Sequence, residues 1–377
     1  MERSSIGFWV GIIAIVLLGG FVWKNYRTPS TTPDETVKIG AILPLTGWGA
    51  YWGEPERRGL ELAQQDIEES GGKIAIVVED GGTDAAKSVT AAQKLINVDK
   101  VHGFFTEFTG PASAVAPLSA QYKVPLIYDA VTKKPLSASP YAFKMYFDMD
   151  KQCYAAAKTL VQEGRKKIGT ALLTLDFNSE CKDAVARAIA GSNVQVIAYD
   201  FPTETTDFRT IIAKMKQDQI DALIPVFYED NAIAFFKQLD EQQLHPVIFM
   251  GIGVPDGLNE KVRASVPAKA IEGVRTYDQK INESFRDRIV KLYPKADEND
   301  ILTAAYGYDE TMYLYRAISA CADKRDAACV TEKMLADKEY VGALDAVHFN
   351  ADRILNLTPH FYTYTKGKLV EFQLDLR

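Results

Sequence analysis

Hydroxyls and open backbone amides recur at a few places in this chain. Thr106, Thr109 and Thr132 supply the hydroxyls. Gly47, Gly49, Gly53 and Gly110 allow close backbone approach and leave N–H groups accessible. Such groups hold an anionic oxygen, and a helix N-terminus beside them favours negative charge. Trp48, Tyr51, Trp52, Phe177 and Tyr228 stand in comparable stretches and offer apolar walls. The combination suits a small ligand with an anionic group and an apolar part. Each residue alone has a plainer reading, as a cap, a turn or packing between lobes. The case rests on several of them converging.

Residues that would transform a ligand are not arranged in the same way. The chain has no GxSxG elbow, no GxxxxGK[ST] loop and no GxGxxG opening a helix. "GIGVPDG" (251–257) has its third glycine misplaced. Asp80, Asp84 and Asp176 lie at or near strand ends without a paired histidine, and read as caps or solvated groups. His102, His245, His348 and His360 are scattered, and no cysteine spacing suits zinc. The reading is a binding protein, not an enzyme, with no catalytic residue, metal or cofactor. A net charge of −7 without a lysine- or arginine-rich run gives no footprint for nucleic acid.

The scaffold that must position these groups alternates between two periods. Short runs rich in Val and Ile, at 37–43, 73–79, 101–105 and 124–128, suit strands buried on both faces of a parallel sheet. A helix is expected to open after Glu54 at Pro55 and Glu56. The rhythm restarts at 166–174, 194–199, 221–226 and 246–250, with Phe208, Ile211, Ile212 and Met215 marking an amphipathic helix that Thr206 and Asp207 can cap. Helical stretches follow at 283–292, 301–322 and 327–336, then strand-like runs at 345–349, 360–365 and 368–372, the last two joined by the turn "TKGK". The expected fold is α/β, with two doubly wound parallel-sheet lobes joined by several crossovers. Lobe 1 takes 37–147 and 278–344; lobe 2 takes 148–277 and 345–377. Ligands bind beyond the C-terminal ends of such strands. That rule selects "PLTGWGAYWG", "TEFTG" (106–110), "DAVT" (129–132), "LDFNSE" (175–180), "FYED" (227–230) and "GIGVPDG".

The ordered stretches resemble one family. "VKIGAILPLTGWGAYWGEPERRGLELAQQDI" is similar to the opening of the branched-chain amino-acid-binding type of periplasmic solute-binding protein. "VEDGGTDAAKSVTAAQKLINVDKVHGFF", "APLSAQYKVPLIYDAVT" and "TTDFRTIIAKMKQDQIDALIPVFYEDNAIAFFKQL" resemble its later segments. The resemblance covers roughly 36–375. It implies a type I periplasmic-binding clamshell that passes a small ligand to an ABC-importer membrane permease. It also implies that first-lobe hydroxyl and N–H groups hold a ligand carboxylate. Thr109 with Gly110 matches the family's Ser-Gly position. Ala130 and Thr132 match the pair that holds carboxylate and ammonium groups. Trp52 matches the aromatic that walls the cleft, and Tyr228 the second-lobe tyrosine that closes over the ligand.

Two departures bear on the ligand. The family's carboxylate for an ammonium group falls in register with Gly253, leaving Glu229, Asp230 or Asp256 as substitutes. The family's tyrosine in the first loop of the second lobe is absent, with Phe177 or Glu180 nearby. The ligand is thus an amino acid or a related carboxylate or amide, with or without an ammonium group.

The N-terminal run 7–23 carries no charge and meets the lower limit for a membrane span. It reads as a retained anchor or a cleaved signal within residues 1–24, followed by a polar linker, 25–36. Either places the body outside the cytoplasm. A ligand-binding ectodomain of a membrane sensor, acting with a partner chain, is the alternative function on the same fold. Cys321 and Cys329 flank a short polar connection, and Cys153 and Cys181 remain as further disulfide candidates. Four cysteines allow three pairings.

Overall fold

Several of the Val- and Ile-rich runs become strands covered on both faces, while Ile74–Asp80 and Gln195–Ala198 are only partly covered. β1 (Val37–Leu43) buries six of its seven residues. The computed structural model describes residues 36–47, 49–175, 178–253, 257–345, 348–357 and 359–374. The expected anchor, the linker before Thr36, Trp48, Phe177 and Asp256 lie outside the described residues. No helix among the described residues is long and apolar enough to cross a membrane.

β1 leads through α1 (Ala50–Glu69) to β2 (Ile74–Asp80), α2 (Ala85–Lys94), β3 (Gly103–Glu107), α3 (Thr109–Tyr122), β4 (Leu126–Asp129), α4 (Lys134–Ala138) and β5 (Ala142–Lys144). Their sheet is parallel, in the order β2-β1-β3-β4-β5. The second set is α5 (Met149–Gln162), β6 (Lys167–Leu172), α6 (Asn178–Ile189), β7 (Gln195–Ala198), α7 (Arg209–Asp218), β8 (Ala222–Val226), α8 (Glu229–Glu241) and β9 (Val247–Ile248). It forms a parallel sheet ordered β7-β6-β8-β9. The strand order reverses between β1 and β3 and again between β6 and β8. A crevice opens at the carboxyl ends of strands at such points.

The chain continues through α9 (Glu260–Ser265), α10 (Ala268–Ile271), β10 (Arg275–Asp278), α11 (Glu283–Leu292), α12 (Glu298–Ser319), α13 (Ala327–Ala336), β11 (His360–Thr365) and β12 (Lys368–Phe372). β10, β11 and β12 form an antiparallel sheet, and Phe249 bridges to Arg275 to join it to the second parallel sheet. α12 returns to the first sheet and crosses α1 at very short range. A Cβ on Gly59 would lie 1.8 Å from the Ala304 carbonyl oxygen, and one on Gly307 2.2 Å from that of Glu56. Glycine at both positions permits the crossing. It carries Glu56 and Glu310 into the interior, where both are fully buried.

Several boundaries differ from expectation. α1 starts at Ala50, not at Pro55. Gly53 lets its first turn press on Pro44, whose carbonyl oxygen would be 2.5 Å from an added Cβ, and Trp52 N donates to Gly49 O at 2.9 Å. At the start of α7, Phe208 occupies the N-cap without a side-chain bond, while Asp207 Oδ1 accepts from Arg209 N at 3.1 Å. β5 and β10 are strands that the hydropathy pattern did not mark. Among the described residues around 345–349, Asp345 bridges to Gly342 and Phe349 to Leu355, without a strand. Phe349 and Leu355 join the core beside the first sheet, and Ile354 bridges to Lys144. The expectation had assigned residues from 345 onward to the other lobe.

Two disulfides are formed. Cys153–Cys181 ties α5 to α6, and Cys321–Cys329 closes the connection between α12 and α13.

Candidate functional site

A cleft of about 470 Å³ lies where the strand-end loops of both parallel sheets meet. From the first sheet come Trp52, Thr83, Glu107 to Pro111, and Asp129 to Val131. Leu175, Thr203, Tyr228 and Ile252 come from the second sheet, and Tyr146 from the crossover between them. The first turns of α12 add Asn299, Leu302, Thr303 and Tyr306.

The walls are largely aromatic. Trp52 meets Phe108 edge to face at 5.7 Å between ring centres, and Tyr146 lies 5.5 Å from Tyr306. Phe108 adopts φ 70° and ψ 148°, outside the comfortable range for a side-chain-bearing residue. Such backbone geometry persists where the surroundings enforce it, often at binding sites. Here Phe108 N donates to Asp129 O at 3.3 Å, and Phe108 O accepts from Ala112 N at 3.0 Å. Directly after it, α3 begins, with Thr109 and Gly110 at its N-terminus facing the cleft. A Cβ added to Gly110 would meet nothing within 4 Å.

The expected ligand residues Trp52, Thr109, Gly110, Ala130 and Tyr228 all line this cleft. Thr132 does not. It is fully buried, and its Oγ1 accepts from Lys134 N at 3.2 Å and lies 3.5 Å from Glu180 Oε1. Its hydroxyl is taken up by the turn that leads from β4 into α4. Thr106 is also withdrawn, donating to Ile42 O inside the sheet. Phe177 and Asp256 lie outside the described residues. Glu229 and Asp230 stand at the mouth, and Glu229 accepts from Asn259 Nδ2 at 2.7 Å and pairs with Lys261. Glu180 bonds Lys133 N at 3.1 Å, joining α6 to the loop after β4.

Sequence reasoning missed the floor. Glu107 and Asp129 end β3 and β4 and line the cleft, although each is at least nine-tenths buried. Behind them are Glu56 from α1 and Glu310 from α12. Oxygens of Glu56, Asp129 and Glu310 lie within 4.8 Å of one another. Neither oxygen of Glu56 or Glu310, nor Glu107 Oε2 or Asp129 Oδ1, receives a hydrogen bond from a donor elsewhere in the described protein. Burial raises Glu56 to about 7, with hydrogen bonds shared with Glu107 and Glu310 opposing the rise. Glu107 and Glu310 are pushed well above the carboxylate range by burial and by their acidic neighbours. Asp129 rises for the same reasons, against the nearby Lys144 cation. Lys144 is itself lowered to about 7 by burial; its Nζ donates to Tyr146 O at 3.1 Å and to Phe147 O. Buried like charges cannot all ionise together, so the cluster holds protons when the cleft is empty.

The comparisons with known proteins fit this geometry. Residues 36–360 match the family described as periplasmic binding protein. The chain belongs to the periplasmic binding protein family. It is 27% identical over 240 residues to the Leu/Ile/Val-binding protein homolog 7 of Brucella abortus, a match covering 58% of each chain. The chain thus spans a little over half the length of that curated relative.

Among solved structures it is similar to the branched-chain amino acid transporter substrate binding protein LivJ of Streptococcus pneumoniae, in complex with isoleucine. That likeness has a TM-score of 0.74 and 20% identity, over 90% of this chain and 100% of that one. It is also similar to a solute binding protein of an ABC transporter from Rhodopseudomonas palustris, in complex with 3,4-dihydroxy benzoic acid. Here the TM-score is 0.76 and the identity 21%, over 89% of this chain and 96% of that one. At these identities the likenesses establish the fold. These relatives are binding proteins rather than enzymes, and the family implies a place outside the cytoplasm.

Proposed function

We propose that the chain is an extracytoplasmic solute-binding protein. It captures one small carboxylate-bearing solute, an amino acid or an amino-acid-like compound, between two lobes and presents it to an ABC-importer permease. The observation that carries this reading is the aromatic-walled cleft at the strand ends of both parallel sheets. Its volume, about 470 Å³, lies within the range usual for small-molecule sites.

Thr109 and Gly110 at the start of α3 are the seat for the solute's carboxylate, because the helix N-terminus presents N–H groups and partial positive charge there. Trp52, Tyr146, Tyr228 and Tyr306 enclose the apolar part. Closure brings Tyr228, on the second sheet, over a solute docked on the first, and the ligand shifts an open–closed equilibrium by binding the closed form better. The segment 1–24 tethers the protein to the membrane, or directs its export, ahead of the linker 25–36.

Thermal-shift screening of the full chain against amino acids and aromatic carboxylates tests this reading, followed by small-angle scattering with the strongest binder. One-site binding with a smaller radius of gyration supports it. No shift across both classes, or binding without compaction, contradicts it.

A further inference from the structure

The floor of the cleft is acidic, and no Lys, Arg or His lines the cleft among the described residues. A solute bearing only a carboxylate would keep Glu107 and Asp129 in their protonated forms, because no cationic side chain lines the cleft among the described residues to balance them once ionised. We propose that the solute carries an ammonium group and that Glu107 and Asp129, on the first sheet, receive it. This rests on the solute-capture reading above and names the class of solute that the cleft selects.

Three observations converge. First, Glu107 and Asp129 line the cleft and are deeply buried, and Glu107 Oε2 and Asp129 Oδ1 receive no hydrogen bond from a donor outside the acidic cluster in the described protein. An unpaired buried acceptor costs free energy that a ligand donor removes. An ammonium has three donors to offer. Second, Trp52, Tyr146 and Tyr306 line the same space, and aromatic faces attract organic cations once water is excluded. A bare divalent metal gains less from such walls and prefers oxygen on all sides. Third, Asn299 is 3% exposed and lines the cleft, and its Nδ2 lacks a partner among the described residues. It is a donor awaiting an acceptor. A zwitterion supplies both complements, its ammonium to Glu107 and Asp129 and its carboxylate toward Asn299 and the start of α3.

The groups facing this subsite are Glu56 from α1, Glu310 from α12 and Lys144 from β5, which touches Asp129 electrostatically. The four carboxyls share protons while the cleft is empty. An arriving ammonium stabilises their ionised forms, so binding expels protons into the buffer. Affinity then rises with pH across the range in which the cluster titrates.

Calorimetric titration of the full chain with matched pairs tests the proposal: L-leucine against 4-methylpentanoate, L-phenylalanine against 3-phenylpropanoate, with benzoate and calcium chloride alone as further probes. The expected result is saturable binding by an amine-bearing member, with its amine-free partner at least 100-fold weaker. Titrations in buffers of different ionisation enthalpy then report net proton release. Glu107→Gln and Asp129→Asn each weaken that binding at least tenfold without lowering the melting temperature, since both remove a buried acid. Amine-free carboxylates binding as tightly as their partners would overturn the ammonium subsite while leaving solute capture intact. Binding of calcium alone would overturn it in favour of a metal site. No binding by any probe would remove the solute-capture reading and this inference with it.

Discussion

Glu56 and Glu310 bring carboxylate oxygens within 4.8 Å of each other, with Asp129 inside the same radius. They arrive on two helices that are far apart in the chain and cross at paired glycines. The contact is unfavourable for ionised groups, and it lies directly behind the cleft floor. Proteins keep strained or costly groups where binding uses them.

This arrangement sets the pH dependence of stability. Glu56 titrates at about 7 in the folded chain, against an ordinary value of 4.5. The folded state therefore keeps a proton that the unfolded chain has lost between those values. Its contribution is full below pH 4.5 and is lost as pH rises to about 7, amounting to about 3 kcal/mol. Asp309, raised to about 6 by burial, acts in the same direction over a lower window. Lys144, lowered to about 7, acts oppositely above neutrality, where stability rises with pH. Thermal melts should fall from pH 5 to pH 7, and Glu56→Gln should flatten that slope and raise the melting temperature at pH 7. A variant that melts lower at pH 7, with the slope unchanged, would show that the cluster is not protonated.

The helix crossing has its own test. Gly307→Ala puts a Cβ 2.2 Å from the Glu56 carbonyl oxygen, so the helices must separate. Overpacking of this kind costs about 1–3 kcal/mol. Denaturant unfolding should show a lower midpoint with the same slope. An unchanged midpoint would mean that the helices do not cross this closely.

Filling the cleft separates binding from folding. Gly110 faces open space. Gly110→Leu should therefore change stability by no more than about 0.5 kcal/mol, as surface changes usually do. The leucine side chain occupies the space beside Thr109, and ligand affinity should fall at least tenfold by calorimetry. Unchanged affinity would place the ligand elsewhere.

The proposed closure is tested through contacts that span the two sheets. Glu180 on α6 accepts from Lys133 N in the loop after β4. Glu180→Ala removes a bond to a charged group, worth about 1.5–3 kcal/mol when well formed. Part of that loss should appear as a more open ligand-free form in small-angle scattering and as a severalfold weaker affinity. Identical scattering profiles for variant and parent would show that this bond does not hold the lobes together.

Much of the scaffold was legible in the sequence. β1, β11, β12, α11 and α13 coincide with their Val/Ile runs or helical periods, because buried strands and one-sided helices leave those marks. Four cleft residues, Trp52, Thr109, Gly110 and Tyr228, were legible from the strand-end rule, and Ala130 from the family resemblance. β5 was not, since three residues carry no period. α1 began earlier than Pro55 suggests because its first turn is held by tertiary contact between Gly53 and Pro44. Glu107 and Asp129 stood within the very loops the rule selected, yet a lone carboxylate at a strand end reads as a cap. Asp84 is one, accepting from Lys87 N at 2.8 Å. Only the arrival of Glu56 and Glu310 distinguishes the two cleft acids, and sequence spacing does not show it. Thr132 failed for the converse reason: local pairing with Lys134 N took its hydroxyl out of the cleft.

The central claim is that one small solute is captured in the cleft, and calorimetric titration of the full chain tests it most directly. Against the standard amino acids and simple aromatic carboxylates, the account predicts saturable binding of at least one compound at one site per chain, weakened at least tenfold by Gly110→Leu. No saturable heat from any of them, or an affinity left unchanged by Gly110→Leu, would contradict it.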